Sequence, residues 1–214
     1  MGDIFREIDE ELRQERAQKL WRAYGRYVIA AAVVFVLAVA GYKGWEQYQT
    51  GQRLEAGAKF AAAKALVEQD RPEEAAALFA ALARETNTTY GTLARFHEAA
   101  LKASSGDSAG AVAALRALSR DRALDRPTRE LATILAALNA PATPGPEILA
   151  DLAPLAEEGS PWRYTALEIL GLVARSEGRH EDARKYLQQI VDDIDAPTNI
   201  RARATQMLAM MAEP

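Results

Sequence analysis

The 214-residue chain contains no cysteine. That excludes a disulfide-stapled fold, a thiol nucleophile and any zinc site built on thiolates. It fits an oxidising compartment without requiring one. Histidine is nearly missing as well. His97 and His180 are far apart, with no carboxylates at a spacing that forms a ligand set. No glycine-rich phosphate loop occurs. Ser104-Ser105, followed by Gly106-Asp107, suits a helix end and the next helix start rather than a nucleophile elbow. Clustered Lys and Arg are lacking beyond the first stretch of the chain. The formal charge is −4, and residues 1–26 carry six bases and six acids, so the acidic excess lies after them. Such a balance argues against nucleic acid as a ligand, because phosphate neutralisation needs grouped bases. The expectation is a chain that is not an enzyme, with no catalytic residue, no cofactor and no metal.

What is present begins with one long apolar run, Tyr27 to Tyr42, between Arg26 and Lys43. Its 16 uncharged residues span ~24 Å as a helix, short of a ~30 Å hydrocarbon core. Trp21, Tyr24 and Tyr27 on one side and Tyr42, Trp45 and Tyr48 on the other are placed for the two interfaces of a bilayer. Arg22, Arg26 and Lys43 can reach headgroups along the same helix. The pattern predicts a transmembrane helix over 27–42 with interfacial flanks over 21–48; a buried helix of a water-soluble core is the alternative. Arg13, Arg16, Lys19, Arg22 and Arg26 crowd the near side of the run, against Lys43, Arg53 and Lys59 beyond it. By the positive-inside rule, residues 1–26 form a charged cytoplasmic segment and residues 50–214 a domain on the outer side, which for a bacterial inner-membrane protein is the periplasm. Ala38-Val39-Ala40 has the form of a signal-peptidase site, which keeps a cleaved leader as an alternative. The length of the preceding region and its six acids stand against cleavage.

Residues 3–20 carry Ile4, Phe5, Ile8 and Leu12 at helical spacing, with acids first and bases later. They read as a solvated lead-in to the span or as a helix that docks on a partner or the membrane surface. Beyond the run, no proline stops the helix before Pro72, but Gly44, Gly51 and Gly57 weaken it, and a bend or break is expected near Gly51.

The rest of the chain repeats. Asp70 to Leu82, Gly106 to Leu118 and Gly178 to Ile190 align without gaps. Each starts on a turn residue, has Ala five positions on (Ala75, Ala111, Ala183), and a large apolar residue nine on (Phe79, Leu115, Leu187). The starts are separated by 36 and 72, so a degenerate unit is expected near residue 142, where a Pro-rich turn leads to a short helix. A period in the mid-thirties with two helices per unit marks a helix–turn–helix solenoid. The Ala lets paired helices approach, the large residue fills the groove toward the next pair, and the turn residue takes angles that Ala resists. The fold class is therefore all-α: one N-terminal transmembrane helix, then an α-solenoid of antiparallel helix pairs.

The last unit resembles the tetratricopeptide repeat, with Leu170-Gly171, Gly178, Ala183 and Pro197 at the consensus offsets and Leu167 where Trp is usual. The second unit has Glu98-Ala99, and the first Ala62-Ala63, in place of the Leu-Gly pair. Thr198 to Met211 reads as a capping helix. With the opening DIFREIDEELRQER, the WRAYGRY before the span and the Gly and Trp after it, the whole chain resembles the YfgM-like family, ancillary subunits of the SecYEG translocon. That resemblance implies an anchored, non-enzymatic interaction module whose partners are the SecYEG translocon, periplasmic chaperones and newly exported clients. A tetratricopeptide-like scaffold for another envelope assembly, in cell division or outer-membrane biogenesis, is the alternative. The consensus register puts Phe60, Lys64, Phe96, Arg129, Glu168 and Arg175 on the binding face, the two Phe residues reading equally as core. The oligomeric state is left open, although Ala32, Ala40, Gly41 and Gly44 offer a face for close helix packing.

Overall fold

The computed structural model describes residues 3–85, 89–141 and 144–211; the side chains of 3–20 and of Ala23, Val28, Ala31, Ala32 and Glu85 lie outside that description. The stripe Ile4, Phe5, Ile8, Leu12 and the small residue Ala32 therefore fall outside the described side chains. Among the described residues there is no strand. The helices are α1 (Asp3–Glu68), α2 (Pro72–Glu85), α3 (Thr89–Ser104), α4 (Ser108–Ser119), α5 (Arg126–Leu138), α6 (Pro146–Leu152), α7 (Arg163–Ser176), α8 (His180–Asp192) and α9 (Thr198–Met210), with a 3-10 turn at Ala153–Ala156 after α6.

The chain divides into two compact units, residues 1–55 and 56–214. In the first, α1 is helical through Gly51, so the expected break does not occur. Each glycine costs a helix no more than about 1 kcal/mol and still supplies its N–H, so without proline the hydrogen-bond ladder continues. Among the described residues no helix is long and apolar enough to cross a membrane. Val28, Ala31 and Ala32, which complete the apolar run in the sequence, are among the side chains not described.

In the second unit the three aligned segments fold alike, down to single hydrogen bonds. Asp70, Gly106 and Gly178 take left-handed backbone angles, with φ of 59°, 90° and 75°. At each, the turn residue donates to the carbonyl three back (Val67, Ala103, Arg175) and the next residue to the carbonyl five farther up the chain (Leu66, Lys102, Ala174). This pair of bonds is a Schellman closure, which satisfies carbonyls that a helix end leaves open. The residue that completes it (Arg71, Asp107, Arg179) also accepts the first bond of the following helix, from Ala75, Ala111 and Ala183. One residue thus ends one helix and starts the next, which makes a tight antiparallel hairpin. Asp107 adds a side-chain cap, its carboxylate accepting from the Gly110 N–H at 2.8 Å.

Packing follows the repeat. Ala75, Ala111 and Ala183 have no solvent exposure, and Phe79, Leu115 and Leu187 are buried. Each large residue lies in a cluster that joins its own pair to the next first helix. Phe79 packs with Ala63 of α1 and Ala94 of α3; Leu115 with Ala99 of α3 and Ala132 and Ala136 of α5; Leu187 with Leu167 of α7 and Ala204 of α9. Burying one such side chain contributes about 1.5–3 kcal/mol. Ala63, Ala99 and Gly171 occupy the second place of the Leu-Gly pair. At Gly171 a Cβ would meet the Leu187 side chain at 3.0 Å, so an alanine there would require Leu187 to give way by a few tenths of an ångström.

The degenerate unit follows its own register. A 36-residue step carries Ala111 and Leu115 onto Glu147 and Asp151, which are too polar for a core. The chain instead buries Leu152 and Leu155 against Ile134, Ala166 and Ile169, with Ile148 and Leu149 beside them. Glu147 and Asp151 turn to Arg116 of α4, at 2.5 and 3.0 Å.

Candidate protein-binding site

The six residues of the expected binding face fall into separate settings. Phe60 is half-buried among aromatic rings, with centroids 5.5 Å from Phe79, 5.7 Å from Tyr90 and 5.2 Å from His97. His97 stacks on Phe79 at 4.9 Å, the planes 9° apart. Burial, and then the charge of Lys64, hold the His97 imidazole below its ordinary pKa. Lys64 itself is exposed beside this cluster. Phe96 is half-buried against the Leu115 and Leu118 cluster. Both Phe residues pack against a core cluster and keep part of their surface exposed.

Arg129, on α5, is half-buried, and its Nε has no hydrogen-bond partner. Glu168 is only 8% exposed. Its two oxygens accept from Nε and Nη2 of Arg203 at 2.6 and 2.7 Å, a bidentate pair that fastens α9 to α7. The same carboxylate raises the pKa of the Arg203 guanidinium. Glu168 is thus a fastening for the terminal helix. Arg175 is exposed and joins no ion pair among the described residues.

Arg175 does lie at a concavity. A groove of about 460 Å³ opens between the C-terminal halves of α5 and α7, lined by Ala137, Leu138, Pro141, Leu172, Val173 and Arg175 among others. Leu138 is 58% and Leu172 42% exposed. Arg175 is the one charged side chain in that lining. The groove exists because α5 stops at Leu138 and the following proline-containing connection replaces the tight hairpin of the other units. Sequence reasoning found Arg175 but not its apolar setting. The signal available was Leu172, an apolar residue three before Arg175 on one helical face.

Helix pairs closed by left-handed turns, with small residues at their crossings, are the architecture that the family comparison reports. Residues 18–210 match the model of the tetratricopeptide repeat-like domain. The chain belongs to that family. Searches among curated proteins and among solved structures gave no match. A tetratricopeptide-like domain suggests a scaffold for protein interaction, with proteins as partners. Among the described residues no group of His, Asp or Glu is arranged to hold a metal. The perturbed groups Asp121 and Glu147 owe their lowered pKa first to hydrogen bonds from Arg95 and Arg116, ion pairs that tie α3 to the connection after α4 and α4 to α6.

Proposed function

We propose that this chain is a non-enzymatic interaction scaffold anchored in the bacterial inner membrane by residues 27–42, with residues 1–26 cytoplasmic and the repeat domain periplasmic. One observation carries the anchor. Val33, Val34, Phe35, Val36 and Leu37 are consecutive and each is between 52% and 70% exposed. Five successive residues cover every direction around a helix at 100° per residue, and a helix apolar on all sides needs an apolar surrounding. The exposed Trp21, Tyr24 and Tyr27 before it and Tyr42, Trp45 and Tyr48 after it bracket that surface with amphipathic rings.

The partner reading is the SecYEG translocon together with periplasmic chaperones and newly exported proteins. It rests on the resemblance of the whole chain to the YfgM-like family and on the repeat domain as an interaction module. The test is purification of a C-terminally tagged chain from native membranes in mild detergent, reading intact mass and co-purifying proteins from one sample. Full-length mass with translocon subunits or periplasmic folding factors supports the proposal. Recovery with cell-division or outer-membrane assembly components instead establishes the alternative scaffold, and a fragment beginning near Gly41 without membrane proteins refutes the anchor.

A further inference from the structure

The connection between α8 and α9 displays Ile194 with 86% of its surface exposed. An isolated apolar side chain on a surface is ordinary. The loop that carries this one is not, because its backbone is tied on both sides. The Asp193 carboxylate accepts from Arg163 at 2.7 Å and from the Asp195 N–H at 3.0 Å. Arg201 donates through Nη2 to the carbonyls of Ile194 at 2.8 Å and Ala196 at 2.6 Å. The Ala196 N–H donates to the Asp193 carbonyl at 3.2 Å. A knob held this way has little backbone freedom left to lose on docking. Beside it, the exposed Asp195 joins no ion pair among the described residues.

The groove between α5 and α7 is the complement of this knob. It is apolar, it opens to water, and its single charged lining residue is the unpaired base Arg175. We infer that the two meet between copies of this chain: Ile194 of one copy enters the α5/α7 groove of a second copy, and Asp195 pairs there with Arg175. The knob cannot serve its own groove. Its loop is fastened to Arg163 at the start of α7, while Arg175 lies twelve residues on, about 18 Å along the helix. Knob and groove are different surfaces, so the contact is heterologous and joins copies head to tail. With one anchor and one ion pair, it belongs to the small, transient class of interfaces. This inference goes beyond the proposed function and does not depend on the identity of any other partner.

The cysteine-free sequence makes the test direct. Full-length chains carrying Ile194→Cys and Leu172→Cys, with different tags, are mixed in detergent and oxidised with copper phenanthroline. The expected product is a mixed disulfide dimer, at several times the yield of Ile194→Cys mixed with Leu78→Cys, which places a thiol on the exposed side of α2. Adding Asp195→Arg to the first chain, or Arg175→Asp to the second, is expected to lower the yield at least tenfold. Combining the two changes, one on each chain, should restore it. Thermal melts followed by circular dichroism establish that each variant is folded. Equal yields for the test and control pairs overturn the proposal, as does Ile194→Cys linking to itself in preference to Leu172→Cys. Charge reversals without effect, or without rescue in combination, refute the Asp195–Arg175 pairing.

Discussion

Arg203→Ala separates a fastening from a binding residue at Glu168. The substitution removes both hydrogen bonds to a carboxylate whose side chain is 10% exposed, whereas Arg203 is 49% exposed. Removing one partner of a fully buried pair costs about 3–5 kcal/mol, and an exposed pair contributes about 0–1. Here water can enter along the path the guanidinium leaves, so the expected loss is about 1–3 kcal/mol. The loss should be local, because α9 keeps its apolar cluster with α7 and α8 and the Arg201 bonds to the Ile194 and Ala196 carbonyls, and among the described residues none of its contacts reach α2. Urea denaturation gives the total, and hydrogen exchange by mass spectrometry gives the place: peptides over α9 lose protection while those over α2 keep theirs. The double variant Glu168→Leu with Arg203→Ala should recover most of the stability, since no unpaired charge remains. A loss below about 0.3 kcal/mol for Arg203→Ala, within ordinary additivity error, refutes the reasoning. So would a loss of exchange protection spread evenly over the repeat domain.

The hairpin turns respond oppositely to small substitutions. Gly178→Ala and Gly106→Ala place a methyl at left-handed φ in open space, a strain of about 1–2 kcal/mol reduced by about 0.4–1 from lost unfolded-state freedom. Each should lower the melting temperature by a few degrees, whereas Asp70→Gly should be tolerated without loss. Phe79→Ala, at a site with no exposure, is expected to cost about 3–5 kcal/mol by denaturant titration, and its exposed neighbour Leu78→Ala about 0.5 or less. Because the His97 pKa is lowered from 6.5 in the fold, the unfolded chain binds more protons as pH falls. The contribution of His97 is therefore complete above pH 6.5 and is lost as pH drops through its lowered folded value. Denaturation at pH 8 and pH 5 measures the difference, and His97→Phe should reduce it.

The repeat positions were legible because their requirements are local. A left-handed turn selects Gly or Asp, and a close helix crossing selects Ala. Asp70, Gly106 and Gly178, with Ala75, Ala111 and Ala183, therefore mark the hairpins in the sequence itself. The capping helix and the short helix after the Pro-rich turn were readable for the same reason. The expected break at Gly51 was not found, because glycine weakens a helix without removing a hydrogen bond. Among the candidate binding residues, Phe60 and Phe96 admitted two readings from sequence, and the tertiary structure supplied the neighbours against which each is partly buried. The register placed Glu168 on the binding face but could not show its partner, because Arg203 lies 35 residues away in a helix whose placement no local pattern reveals.

The sequence by itself determined the all-helical class, the hairpin turns, the residues buried at each crossing and the exceptional apolar run over 27–42. All of these follow from the period of a helix and from the side chains that a given backbone angle or separation tolerates. Only the tertiary structure decided what meets across the units. It moved the degenerate unit by one residue so that Leu152 rather than Asp151 is buried. It also gave Glu168 to Arg203, opened a groove beside Arg175 and left Ile194 projecting from a braced loop. These outcomes depend on which surfaces the stacking of successive pairs brings within a few ångströms, and that relation is not contained in the spacing of residues along one helix.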